Sequence, residues 1–328
     1  MALLNVENLH VSFSRSAATV EAVRGVSLRI ERGQIHGLVG ESGSGKSVTA
    51  RAILGLERGP SVTVTADTLE FEGRDLASLT EEEYREIRGS RIAVIFQEPG
   101  KHLNPALTVG RQISEVLVTH QGMDERAARH RAVELLEMVE LPRPGSRVAA
   151  YPHELSGGMK QRALIAMAVS CRPALLLADE PTTALDVTVQ RQILDLLHSL
   201  ADELDMAVLF ISHDLAVVQT IAQWVSVIYA GRILESAEAA AIFEDPVQPY
   251  TQALFQAIPD RTRRGTPLRA IPGQVPDAGH APSGCPFHPR CPKVEQICRS
   301  QMPVSTTYGE RHTAACHVAS RSRQEARL

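Results

Sequence analysis

Four short stretches, Ile92 to Phe96, Ala174 to Ala178, Ala207 to Ile211 and Val225 to Tyr229, are apolar without alternation. Runs this continuous suit strands buried on both faces of a parallel sheet, where helices cover either side. Between them, Val109 to Val118, Arg126 to Val139 and Gly158 to Ser170 show 3.6-residue spacing and predict helices. Asp186 to Leu204 predicts a longer amphipathic helix after a Pro-Thr-Thr turn. Upstream, Leu3 to Phe13, Ala22 to Ile30 and Leu69 to Phe71 predict short strands of a mostly antiparallel layer, separated by glycine and charged turns. Beyond about Ala240 the pattern breaks up. Pro246, Pro249, Pro259, Pro267, Pro272, Pro276, Pro282, Pro286, Pro289 and Pro292 crowd a short span and predict a loop-rich appendage without a second large core. No internal repeat is evident, so the α/β body is present once.

Composition bounds the class. A chain of 328 residues, 44% of them apolar, is ample for a globular core. Net charge is −4, from 34 Lys+Arg against 38 Asp+Glu, and the basic residues are scattered, with pairs such as Arg263-Arg264 the densest; no nucleic-acid partner is expected. The start has no basic leader region, and no segment approaches the ~20 apolar residues that span a bilayer, which predicts a cytosolic chain that does not itself cross a membrane.

The stretch Gly40-Glu41-Ser42-Gly43-Ser44-Gly45-Lys46-Ser47 follows the apolar run Ile35 to Val39 and fits the pattern G-x-x-x-x-G-K-[ST] at every fixed position. Glycines there let successive N–H groups turn inward around phosphates, Lys46 brings a charge to the β/γ oxygens, and the Ser47 hydroxyl suits a magnesium ion. The helical run Lys46 to Leu54 adds the positive end of its dipole. A nucleoside triphosphate is the expected ligand.

A second feature is Leu155-Ser156-Gly157-Gly158-Met159-Lys160-Gln161-Arg162, followed by Ala174-Leu175-Leu176-Leu177-Ala178-Asp179-Glu180. The apolar residues bury a strand and deliver Asp179 to its carboxyl end, where such sheets bind nucleotides. Glu180, one residue on, can polarise an attacking water. With the phosphate loop ahead of them, these segments resemble the signature motif and Walker B strand of the ATP-binding cassette (ABC) family. The resemblance spans about the first 235 residues. It implies a P-loop NTPase (RecA-like) core with an antiparallel β subdomain and an α-helical subdomain, here about residues 105–170 of a nucleotide-binding domain at 1–240.

That resemblance also implies roles. Asp179, Ser47 and Gln97 would serve Mg2+, with Gln97 the Q-loop residue that senses a permease; Glu180, Lys46 and His213 would be catalytic, His213 as the switch histidine bridging the γ-phosphate and water. Thr183-Ala184-Leu185-Asp186 resembles the D-loop, with Thr where Ser is commoner. Phe13 resembles the aromatic that stacks on adenine, and as a strand residue it suits a core position equally. Ser156, Gly157 and Gly158 would complete the ATP site of a second cassette paired head to tail, alongside Gly40, Ser42, Gly43, Ser44, Gly45 and Asp186.

The tail narrows the resemblance. Gln248-Pro249-Tyr250-Thr251, Gly284-Cys285-Pro286-Phe287-His288-Pro289-Arg290-Cys291-Pro292, Cys298 and Ala315-Cys316-His317 resemble the C-terminal region of dipeptide and oligopeptide importer ATPases, above all the D-type subunits of dipeptide systems. Gln248 where His is usual, Gly100-Lys101-His102 and Gln223-Trp224 depart from that pattern. Four of the five cysteines, Cys285, Cys291, Cys298 and Cys316, lie here with gaps of 5, 6 and 17 residues. A cytosolic chain does not normally hold disulfides. Four thiolates among prolines could bind a 4Fe-4S cluster or a tetrahedral zinc, and the gaps are wider than the usual zinc knuckles. The resemblance favours the cluster.

Together these imply the ATP-hydrolysing subunit of a dipeptide or oligopeptide importer, peripheral on the cytoplasmic face of the inner membrane. Its partners would be a second ABC ATPase subunit, a paralogue, two transmembrane permeases and an extracytoplasmic peptide-binding protein. A nickel or metal-chelate importer would share every ATP motif, and a soluble non-transport cassette is the alternative from another class. The tail, 241–328, is expected to form the C-terminal extension.

Overall fold

The computed structural model describes residues 2–15, 18–183, 185–257, 270–309 and 311–319. Of the positions weighed above, Ala184, Pro259, Pro267 and Arg263-Arg264 lie outside the described residues. The strands are β1 (Leu4–Arg15), β2 (Ala18–Ile30), β3 (Ile35–Val39), β4 (Val62–Thr65), β5 (Thr68–Phe71), β6 (Arg74–Asp75) and β7 (Ile92–Ile95). They continue as β8 (Leu175–Asp179), β9 (Ala207–Ser212), β10 (Trp224–Tyr229), β11 (Arg232–Glu238), β12 (Ser305–Gly309) and β13 (His312–Ala315). The chain forms two compact units, one of Ile30–Ile35 with Ser78–Ile211, the other of Ala2–Arg29, His36–Ala77 and Ser212–Leu328.

In the second unit, β1 is the spine of an antiparallel layer ordered β2-β1-β5-β6, with β4 also on β1. Leu4 faces Phe71 and Val6 faces Leu69, all four buried. The two-residue period thus puts these apolar side chains on one face, and a one-residue slip would expose them. The strands β4 and β6 were not marked by the apolar pattern, because one is a half-exposed Val-Thr alternation and the other an exposed Arg-Asp pair.

The same unit holds β3, fully buried and parallel to β10. From β10 the order continues through β11 and β13 to β12, each pair antiparallel. The tail is largely loop, as expected, and in addition it extends this sheet by two short strands. His312–Ala315 (β13) pairs with the edge of β11, and Ser305–Gly309 (β12), whose Thr-Thr-Tyr run suits a strand although it has no apolar alternation, pairs with β13 in turn. Glu235 of β11, with no side-chain exposure, is held there by His312 Nε2 at 2.7 Å. It also accepts from the N–H groups of Val247 at 2.7 Å and Gln248 at 3.0 Å, so a buried carboxylate fastens two parts of the tail.

In the first unit, β9, β8 and β7 run parallel, with Leu175 opposite both Ala207 and Ile92. Nearly every residue of the three is buried, as the unbroken apolar runs require. The helices Val109–Gln121, Glu125–Met138 and Gly157–Val169 pack on one another in the expected helical stretch. Asp124 caps Glu125–Met138 by accepting from the N–H groups of Arg126 and Ala127, and Gly122, at φ 63, ends the helix before it in the left-handed region. No helix among the described residues is long and apolar enough to cross a membrane.

Candidate functional site

The phosphate loop belongs to the second unit and starts where β3 ends. Gly43 and Gly45 have φ of 79° and 103°, which side-chain-bearing residues rarely adopt, and a Cβ on Gly45 would lie 2.7 Å from the Ala22 carbonyl. Helix Lys46–Ile53 begins at once, and its N-cap, Gly45, offers no side-chain acceptor. A helix start placed at the end of a glycine loop turns its N–H groups and positive dipole end towards that loop, an arrangement that suits an anion. Lys46 is buried, and its Nζ donates to the carbonyls of Gly40 at 2.7 Å and Glu41 at 3.0 Å, which arches the ammonium across the loop. Ser42 and Gly43 are exposed, Ser44 is fully buried, and Ser47 is half-buried in the first helical turn. Phe13, half-buried on β1 opposite Val62, keeps both of its expected roles open. His213 is exposed immediately after β9 and precedes Asp214, which caps helix Leu215–Ile221.

In the first unit, Asp179 ends β8 and is buried. Glu180 follows with φ 48°, a left-handed conformation costing about 1 kcal/mol in a residue with a side chain. Its N–H donates to the Ile211 carbonyl at 2.9 Å. Its Oε2 accepts from Gln97 Nε2 at 2.8 Å and from Thr183 Oγ1 at 3.0 Å. Two residues expected in separate loops thus grip the same carboxylate oxygen. Thr183 was read in the sequence only as part of a loop motif; its hydroxyl was the available signal for this contact. Gln97, expected on magnesium, is engaged with Glu180.

Also in this unit, Ser156 caps helix Gly157–Val169, accepting from the Met159 N–H at 3.3 Å. Gly158 is required by packing, since a Cβ there would lie 2.7 Å from Val189 Cγ1, whereas one on Gly157 would meet only Leu185 Cδ2 at 3.7 Å. Asp186 caps helix Val187–Leu204 through the Val189 N–H at 3.0 Å. Beside it Val187 is 84% exposed, a large apolar side chain at the start of a capped helix.

The tail cysteines gather in one neighbourhood. Cys285, Cys298 and Cys316 are buried, Cys291 is partly so, and Cys285 lies close enough to feel a charge on any of the other three. Burial pushes the Cys285 thiol up to about 11 and raises Cys291 and Cys316 as well, so the lobe favours neutral thiols. The donor set suits a thiolate-bound cluster. Among the described residues, however, no group of three or more His, Cys, Asp or Glu is arranged to hold a metal ion, so the geometry gives no support to the expected 4Fe-4S cluster or to zinc.

A model of the ABC transporter family matches residues 23–183, and one of the oligopeptide/dipeptide transporter C-terminal region matches 234–298. The chain is 47% identical over 317 residues to the dipeptide transport ATP-binding protein DppD of Escherichia coli (strain K12), covering 97% of each chain. It is 45% identical over 316 residues to the oligopeptide transport ATP-binding protein AppD of Bacillus subtilis (strain 168), covering 96% of each. Among solved structures it resembles the dimeric, post-hydrolysis ATP-binding cassette MJ0796 bound to ADP and Pi. The TM-score is 0.63 at 28% identity, over 72% of this chain and 98% of that one.

Proposed function

Because this chain belongs to the ATP-binding cassette transporter family, in its oligopeptide/dipeptide branch, we propose that it is the ATP-hydrolysing subunit of a membrane importer of dipeptides or oligopeptides. The observation that carries the reading is the likeness to dipeptide transport ATP-binding proteins over 97% of the chain, tail included.

The site residues act as their chemistry directs. Lys46 and the loop N–H groups between Gly40 and Ser47 bind the ATP phosphates, and Phe13 stacks on the base. Glu180 polarises the attacking water, an orientation supported by its two hydrogen bonds, and His213 steadies the γ-phosphate. Ser47, Asp179 and Gln97 offer an all-oxygen set that suits Mg2+, which would neutralise phosphate charge when bound. Gln97 would use Oε1 for the ion, since its Nε2 is the atom that donates to Glu180. The exposed end Ser156-Gly157 supports a second cassette, a paralogue, whose ATP it would complete.

Membership of the family supports a wider assembly with two permeases and a peptide-binding protein outside the cell, and a peripheral position on the cytoplasmic face of the inner membrane. We keep the division into a nucleotide-binding domain, 1–240, and an extension, 241–328, whose four cysteines carry a 4Fe-4S cluster, with zinc as the alternative. The chemistry of the donor set supports that last reading. The test of the function is purification of the tagged chain from membranes, identification of its partners by mass, and reconstitution in vesicles. ATP-dependent uptake of a labelled dipeptide is expected; uptake of nickel chelates in its place would overturn the peptide assignment.

A further inference from the structure

Within the second unit Arg290 links the cysteine lobe to the phosphate loop. Arg290 directly precedes Cys291, and its side chain is 5% exposed. Its Nη1 donates to Glu41 Oε2 at 2.9 Å and Oε1 at 3.1 Å, and to Tyr229 Oη at 3.3 Å. The guanidinium is anchored from behind by Nε donating to the Pro272 carbonyl at 2.8 Å. Glu41 is held a second time, its N–H donating to Tyr250 Oη at 3.0 Å. The rings of Tyr229, Tyr250 and Phe287 pack together with centroids 4.6 to 5.4 Å apart, and Phe287 lies between Cys285 and Cys291 in sequence.

A carboxylate in a loop that receives phosphates is electrostatically misplaced, since its charge opposes that of the ligand. Arg290 cancels that charge and turns the carboxylate onto the tail. A buried arginine bridging a carboxylate, a phenol and a backbone carbonyl is a fixed strut, unlike an exposed ion pair. We propose that Arg290 is a positioning residue for the phosphate loop: by holding Glu41 it keeps the loop receptive to ATP and makes the state of the cysteine lobe felt as nucleotide affinity. This rests on the reading that residues 40–47 bind the ATP phosphates.

The experiment is calorimetric titration of the full chain with ATP, alongside thermal unfolding, for Arg290→Gln, Glu41→Gln, the double variant and Lys46→Ala. Arg290→Gln is expected to weaken ATP binding on the order of tenfold, because the released carboxylate then opposes the phosphates. Adding Glu41→Gln should return the affinity towards wild type, a rescue that mere loosening of the lobe would not give. Wild-type affinity in folded Arg290→Gln, or no recovery in the double variant, overturns the proposal. If Arg290→Gln does not fold, Arg290→Met, which also removes the charge and keeps the length, is read in the same way with and without Glu41→Gln. Lys46→Ala separates the premise: if it binds ATP normally, the phosphate-loop reading fails, whereas loss there with no effect at Arg290 sinks this inference alone.

Discussion

Gln97 donates a 2.8 Å hydrogen bond to Glu180 across 83 residues of sequence, so the carboxylate expected to polarise water is oriented by a side chain far away in the chain. Thr183 grips the same oxygen from three residues away. Orientation and charge can therefore be separated by mutation.

Glu180→Gln should keep ATP binding and lower hydrolysis in the assembled transporter by about 10²-fold or more, since the base is lost while the phosphate loop is untouched. Thr183→Val should lower kcat by roughly several-fold with little change in KM, as expected of a group that only aims the base. Near-normal turnover of Glu180→Gln, measured by phosphate release, would remove Glu180 from the mechanism.

The isolated chain should hydrolyse ATP slowly if Ser156 and Gly157, at an exposed helix start, complete the site of another cassette as proposed. Adding the partner cassette and permeases should raise the rate, and peptide-loaded binding protein should raise it again. A high rate that does not vary with protein concentration would refute the shared site.

His36, on β3 just ahead of the phosphate loop, is pushed down to about 4 by burial and meets Ser226 Oγ at 2.8 Å. Its ordinary value is 6.5, so below that pH the unfolded chain takes up a proton that the fold refuses. Its contribution to stability should thus be lost as pH falls from 6.5 towards about 4, by up to about 3 kcal/mol. Denaturant unfolding of His36→Gln against wild type across that range checks this; an unchanged pH slope would reject it.

Anaerobically purified protein should be brown and carry about four iron and four sulfide per chain if all four tail thiolates bind one cluster. Serine at Cys285, Cys291, Cys298 or Cys316 should lower the iron content and make the chain protease-sensitive beyond about Pro246. Stoichiometric zinc without iron would replace the cluster with a thiolate zinc site, and no metal at all would reject both.

The phosphate loop, the Asp179-Glu180 strand end and the main strands and helices were legible in the sequence because each rests on adjacent residues. A loop that wraps phosphate with successive N–H groups must have its glycines and Lys46 in one stretch, and a buried parallel strand must be apolar throughout. What only the tertiary structure decided joins residues far apart. The grip of Gln97 on Glu180, the pairing of β13 with β11, and the bond from Arg290 to Glu41 across 249 positions left no local pattern. Side-chain hydrogen bonds and edge pairing depend on which surfaces meet in three dimensions, and spacing along the chain does not encode that.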